Sequence, residues 1–295
     1  MEGDFNVSHQ DLSVEVVIQS ILRKLKKYGM VIVPNYLDVT KLAILNDEFQ
    51  RSLSLEHQSF FQQPAPHPTN PMGLTARLNP HHAMASQEFP VMNKVFNDAF
   101  MRQIAHGYYS PHNYSFNEAV FITNEFESEV NILPWHFDRI QSLKFWFNLT
   151  DTTRENGAFE YCPGTHWEGR YRAGYHMSQG CPIKEIPNDI DDDLIRNPVC
   201  IELKAGDLLI FDADGFHRGG IVEPGNERRV LRAHTYPIGR RYDDRMFSRG
   251  WWVSSPLNLN RWFKSSATRI LGDKIQETTV NRHQHNISNK KNLDD

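Results

Sequence analysis

The stretch Leu133 to Asp151, LPWHFDRIQSLKFWFNLTD, sets a histidine and an aspartate two residues apart just ahead of an apolar, aromatic-rich run. On a strand, side chains two apart share a face, so His136 and Asp138 would project together while Phe137 turns away. An imidazole beside a carboxylate can fill two adjacent positions on a metal. The best third ligand is His217 in LLIFDADGFHRGG, which follows an apolar strand and precedes paired glycines where backbone can approach another group closely. Two histidines and one carboxylate make a facial triad with three open positions, the arrangement of non-haem Fe(II) oxygenases. A bare HxD recurs by chance, so its weight rests on the elements that hold it.

Those elements divide the chain into a helical first part and a strand-rich second part. Ser13 is placed to cap a helix in which Val14, Val17, Ile18, Ile21, Leu22 and Leu25 recur at helical spacing, with Gly29 as its stop. Residues 30–34, MVIVP, read as a short buried strand, and Asp38 can cap a second helix with Leu42, Leu45 and Phe49 on one face. Residues 60–90 are dense in Pro, Asn and His and predict a long irregular loop with a binding or lid role. VMNKVFNDAFMRQIAHGYY predicts one continuous third helix. AVFITNEF, LKFWFNLTD, GAFEYCPG, VCIELKAGDLLIFD and RRVLRAHTYP are short, β-branched and aromatic segments bounded by Gly, Pro or Asp, with KAGD as a turn. No crossover helices separate them, so the expected fold is mainly β with flanking α: an antiparallel jelly-roll or barrel packed against N-terminal helices. The expected organisation is a single domain over 1–271, with a helical part at 13–109, a jelly-roll core at about 118–240 and a packing segment at 241–271. The polar residues 272–295 read as a tail.

Bulk properties narrow the function classes. The 295 residues carry a net charge of −4, which offers no electrostatic reason to bind nucleic acid. Three cysteines, none in a CxxC pair, argue against a disulfide framework and fit a reducing compartment. The polar, acidic N-terminus is unlike a signal peptide, and no apolar run approaches a membrane span, so a cytoplasmic location is expected.

Several segments together resemble the phytanoyl-CoA dioxygenase family of Fe(II)- and 2-oxoglutarate-dependent oxygenases, whose fold is a double-stranded β-helix. They are PWHFD at 134–138, ENGAFEYCPGTHWEG at 155–169, KAGDLLIFDADGFHRGG at 204–220 and NERRVLRAHTYP at 226–237, with KKYGMVIVPNYLDVTKLAILNDEF near the start. The resemblance spans roughly residues 15–238. It implies His136, Asp138 and His217 as iron ligands, with O2 as oxidant. It also implies Arg228, eleven positions beyond the last histidine, as anchor for the distal carboxylate of 2-oxoglutarate. A bidentate guanidinium suits that task. Arg229 should point to the opposite strand face, while Arg232 shares the parity of Arg228. Asn124 in FITNEF resembles a position that holds the co-substrate's metal-side carboxylate in some relatives. The implied reaction is hydroxylation of an unactivated C–H bond in a small organic molecule, with 2-oxoglutarate decarboxylated to succinate and CO2. Halogenating relatives lack the carboxylate that Asp138 supplies. Desaturation, epoxidation or cyclisation at the same site, or a binding protein that kept the barrel without turnover, are the alternatives. A nucleic-acid demethylase would need a second arginine six after the first, where this chain has His234.

Overall fold

The first helix, α1 (Val14–Tyr28), buries Val17, Ile18, Ile21 and Leu25 of the stripe its periodicity predicts, while Leu22 is partly buried and Val14 in the first turn is exposed. The computed structural model describes residues 4–7, 13–67, 70–127 and 133–238. Helix α1 ends at Gly29, whose φ of 77° lies in the left-handed region and whose N–H closes the last turn onto the Leu25 carbonyl. A Cβ there would lie 2.3 Å from the Tyr161 hydroxyl, which donates to the Gly29 and Asp212 carbonyls. Gly29→Ala is therefore expected to cost about 2–5 kcal/mol, the sum of left-handed strain and overpacking, read as a lower urea midpoint.

Strand β1 (Met30–Val33) follows, then α2 (Val39–Leu53), where the Asp38 carboxylate accepts from the Lys41 N–H at 2.8 Å as a cap. Residues 60–90, expected to be an irregular loop, instead form β2 (Phe61–His67), β3 (Asn70–Leu78) and α3 (Ala83–Glu88). The prolines misled because β2 is an edge strand, where a missing N–H costs little. Pro64 also falls inside a register shift between Gln62 and Ala65. The single helix expected next is two, α4 (Pro90–Phe96) and α5 (Ala99–Tyr109). The break falls at Asn97–Asp98, where Asp98 turns its carboxylate onto the Phe100 N–H and so starts a new helix. Helix α4 is begun by Pro90 and by buried Glu48, which accepts from the N–H groups of Val91 and Met92 at 2.8 and 2.7 Å.

The remaining elements are β4 (Tyr114–Ser115), β5 (Val120–Phe126), β6 (Leu143–Asn148), β7 (Phe159–Tyr161), α6 (His166–Ser178), β8 (Val199–Ile201), β9 (Leu208–Asp212), β10 (His217–Arg218) and β11 (Glu227–Pro237). The larger sheet runs β1-β9-β6-β11-β5-β3-β2 with β4 on β11, the smaller β10-β7-β8, and every paired strand is antiparallel. This is the jelly-roll expected from the sequence. Its layers follow from side-chain parity. Val120, Ile122, Phe145, Phe147, Leu231 and Ala233 face the helices, in one cluster with Ile21, Leu45, Phe49 and Phe96. Trp146, Phe159, Tyr161, Leu209, Phe211 and Val230 form a second cluster between the two sheets. Strands β6 and β9 are buried on both faces, which is why they read as unbroken apolar runs. Among the described residues no helix is long and apolar enough to cross a membrane. The segments expected to pack at 241–271 and to form a tail at 272–295 lie outside the described residues, as do Trp251 and Trp252.

Candidate metal centre

His136 and His217 are backbone partners: the His217 N–H donates to the His136 carbonyl at 2.9 Å, and the His136 N–H to the His217 carbonyl at 3.1 Å. A residue pair that exchanges both bonds sends its side chains to one face, and the two rings lie 4.3 Å apart between centroids. The Asp138 N–H donates to the Ala213 carbonyl at 2.8 Å, which sets the carboxylate against the same turn that carries His217. Phe137 points the other way, fully buried against Phe216. The result is that one donor atom from each of His136, Asp138 and His217 lies within 4.8 Å of the others.

The donors face inward because their far sides are occupied. The Nδ1 of His136 meets the Pro134 carbonyl at 2.9 Å, and that of His217 meets the Gly215 carbonyl at 2.8 Å. A carbonyl only accepts, so each Nδ1 carries the proton and each Nε2 presents a lone pair. Asp138 Oδ1 lies 3.8 and 3.7 Å from the two Nε2 atoms, while its Oδ2 takes a 2.6 Å ion pair from Lys144. Burial alone would raise the Asp138 carboxyl, but the paired Lys144 ammonium above all outweighs it, and the group is held well below the usual carboxylate range. Burial also lowers both histidines, so the set is two neutral imidazoles and one carboxylate. That donor set suits a divalent first-row metal with open positions.

The turn bearing His217 is anchored from behind by a buried polar cluster that sequence reading missed. Asp214 accepts from the Gln141 N–H at 3.1 Å and pairs with Arg170 of α6 at 3.4 Å, and Arg170 also meets Asp212 and Tyr108. Two aspartates inside the apolar run LLIFDADGF are the signal that could have revealed it.

Burial sets a pH signature for the metal-free protein. Burial lowers His136, His166, His217 and His234 from the ordinary 6.5, so the folded chain resists protons that the unfolded chain takes up below that pH. Those contributions fall away as pH drops through 6.5. Asp212 and Asp214 act oppositely: burial raises both, Asp214 to about 7, so their contribution is present at low pH and lost as pH rises toward 7. Burial also lowers His176 and raises Glu48, so five histidines outnumber three carboxyls, and EDTA-treated protein is expected to show a lower denaturant midpoint at pH 5 than at pH 7. Added metal, which competes with the protons, should reduce the difference.

Arg228 stands at the start of β11, 1% exposed, on the face between the sheets. Its Nε donates to Glu125 Oε2 at 2.6 Å and its Nη2 pairs with the same carboxylate. Its Nη1 is buried with no partner among the described residues. Two glycines make room at that end: a Cβ on Gly219 would lie 2.9 Å from Nη2 and one on Gly157 3.4 Å from Nη1. An orphaned guanidinium donor that glycine backbone approaches closely fits a carboxylate. Arg229 faces away, as its parity predicts, and pairs with Glu227.

Asn124 does not join this face. It shares parity with Val120 and Ile122, which pack toward the helices, whereas its neighbours Thr123 and Glu125 bond to Arg232 and Arg228 between the sheets. The expectation that it holds a co-substrate carboxylate is corrected by that alternation, which a reading of FITNEF without a strand register leaves open. Two residues on the inner face were missed, Lys144 and Glu125. The signal for Lys144 is a lysine two positions from Trp146 inside an otherwise apolar strand.

Fold and site together define a double-stranded β-helix protein with a two-histidine, one-carboxylate centre between its sheets. The phytanoyl-CoA dioxygenase (PhyH) model matches residues 25–230, and the chain belongs to that family. A curated relative, the phytanoyl-CoA dioxygenase domain-containing protein 1 homolog of Dictyostelium discoideum, is 26% identical over 102 residues. That match covers 34% of this chain and 36% of the relative, so the chain spans about a third of the relative's length. Among solved structures, the non-heme alpha ketoglutarate dependent carbocyclase SnoK from nogalamycin biosynthesis aligns at 16% identity and a TM-score of 0.55, over 80% of this chain and 89% of that one. The epimerase SnoN, in complex with Fe3+, alpha ketoglutarate and nogalamycin RO, aligns at 16% and 0.53, over 75% and 84%. HygX from Streptomyces hygroscopicus, with nickel, 2-oxoglutarate and hygromycin B bound, aligns at 13% and 0.52, over 75% and 87%. At these identities the likeness is one of fold.

Proposed function

We propose that the chain is an Fe(II)- and 2-oxoglutarate-dependent oxygenase that hydroxylates an unactivated C–H bond of a small organic molecule. The observation that carries this reading is the convergence of the His136 and His217 Nε2 atoms on Asp138 Oδ1, each imidazole locked in the ligating tautomer by a backbone carbonyl. His136, Asp138 and His217 would hold the iron, and Arg228 the distal carboxylate of 2-oxoglutarate through its unpartnered Nη1. When bound, iron and 2-oxoglutarate supply with O2 an oxidant strong enough for an unactivated C–H bond, as 2-oxoglutarate goes to succinate and CO2.

The protein's share is orientation. Lys144 ties up Asp138 Oδ2, so Oδ1 is the oxygen that would hold the metal. Phe159 and Phe211 flank the His217 ring at 5.6 and 5.4 Å, which excludes water and fixes the ring plane. A small-molecule substrate, the absence of a nucleic-acid partner and a cytoplasmic setting belong to the same proposal.

The test is anaerobic loading with Fe(II) and 2-oxoglutarate followed by O2, with succinate measured by mass spectrometry. Succinate above the metal-free control is the expected result. No succinate across a broad substrate panel, in protein shown to retain iron, would leave a barrel that binds without turnover.

A further inference from the structure

The chain leaves Asp138 through a conformationally costly connection. Four residues, 139–142, carry it from the metal ligand to the start of β6. Arg139 and Gln141 have φ of 68° and 49°, in the left-handed region that residues with a Cβ rarely adopt. The Arg139 Nε is moreover buried with no partner among the described residues. Strain and an orphaned donor persist only where the surroundings over-determine them, and such places cluster at functional sites. Gln141 is held by Asp214; Arg139 is held by residues 183–190. His136 is bridged to Asp189 as well as to His217, so these residues line the other edge of the HFD strand. The Phe137 N–H donates to the Asn188 carbonyl at 3.2 Å, and the Ile190 N–H to the Trp135 carbonyl at 2.7 Å. In a regular antiparallel ladder the Asn188 N–H would answer the Phe137 carbonyl. Its side-chain Nδ2 does so instead, at 2.8 Å. The Oδ1 of the same amide accepts from Arg139 Nη2, so Arg139 dictates which way the amide faces. Arg139 Nη1 donates to the Ile183 and Lys184 carbonyls at 3.3 and 3.0 Å. The HFD strand is thus gripped alternately, His136 and Asp138 by the turn that bears His217 and Phe137 by Asn188.

We propose that Arg139 and Asn188 are positioning residues for the metal centre: they fix the HFD strand so that the Asp138 carboxylate already faces the two imidazoles when a metal binds. This rests on the reading of His136, Asp138 and His217 as metal ligands. Neither Arg139 nor Asn188 supplies a ligand. They act through Phe137, whose ring points away from the centre, and through the turn that follows Asp138. Loss of either leaves the ligand set intact but frees one edge of the strand that carries two of the three ligands. Partners of this kind commonly set metal affinity through geometry alone. Charge would act the other way. Removing the cation next to a ligand favours a bound metal cation, so weaker binding without Arg139 reports lost geometry.

The test titrates the full, EDTA-stripped chain with Co(II) and reads the dissociation constant, the visible ligand-field spectrum and the urea midpoint. Arg139→Gly removes the guanidinium and relieves the left-handed strain, so it isolates the side chain from the backbone. Asn188→Leu keeps the volume and removes both amide bonds at a half-buried position, which keeps the test open whatever Arg139→Gly does to folding. Each is expected to weaken Co(II) about tenfold or more and to change the ligand-field bands. Arg139→Lys, which retains a donor for the two carbonyls, should fall between Arg139→Gly and wild type. Wild-type affinity and spectrum in both Arg139→Gly and Asn188→Leu, even with a lower urea midpoint, would make these contacts structural only and overturn the proposal. Tighter binding by Arg139→Gly would reduce its effect to charge and overturn it too. Asp138→Ala keeps the two readings apart. If it binds Co(II) as wild type does, the ligand assignment falls and this inference with it. If it loses Co(II) while Arg139→Gly and Asn188→Leu do not, this inference falls alone.

Discussion

Asp138→Ala is expected to lose at least about a hundredfold in iron affinity and all 2-oxoglutarate turnover, because outer-sphere changes alone reach 10–100-fold and this one removes a ligand. The variant also strips Lys144 of its counter-ion. The two side chains are 18% and 10% exposed, so the pair is largely desolvated, and an uncompensated buried ammonium costs about 3–5 kcal/mol. Loss of iron could then be mistaken for loss of fold. Asp138→Ala with Lys144→Met separates the two. Removing both charges should restore most of the stability, since a buried pair gives little net stabilisation over apolar replacements, while iron affinity stays low. Equilibrium dialysis against Fe(II) under argon and urea unfolding give the two readouts. Iron retention unchanged in the single variant would show that Asp138 is no ligand.

Arg228→Met is expected to raise the KM for 2-oxoglutarate about thirtyfold or more, the effect of losing a buried charge-assisted pair worth about 2–5 kcal/mol. Its second effect falls on Glu125, whose side chain is 6% exposed and would be left without its cation. A stability loss of about 3–5 kcal/mol follows. Arg228→Met with Glu125→Leu should recover stability without recovering co-substrate affinity. Arg229→Met is the internal control: Arg229 points to the face opposite Arg228 and pairs with Glu227, so 2-oxoglutarate saturation should hardly move. A KM unchanged in Arg228→Met, measured by succinate release across 2-oxoglutarate concentrations, would return the anchor to another residue.

These outcomes depend on features of unequal legibility. Helices α1 and α2 could be read because their stripes, the Asp38 cap and the Gly29 stop are local signals, each settled by a few neighbouring residues. HFD and its pairing with His217 could be read because metal chemistry admits few residue types at few spacings. The hairpin of β2 and β3 could not. Its proline-rich composition describes a loop unless the chain is known to lie at a sheet edge, and being an edge is a property of the neighbours. The helix break at Asn97–Asp98 was similarly hidden, since the apolar spacing runs on through it.

The sequence by itself determined the fold class, the HFD half of the two-histidine, one-carboxylate cluster and the inward parity of Arg228, because periodicity, capping and strand alternation are short-range constraints written in consecutive residues. Only the tertiary structure decided that Asn124 faces the helices, that Lys144 neutralises Asp138, that Glu125 opposes Arg228, and that Asn188 meets Phe137. Each of these depends on strand register, which is set by summing weak packing and backbone bonds across segments up to about a hundred residues apart and leaves no mark on any single stretch of chain.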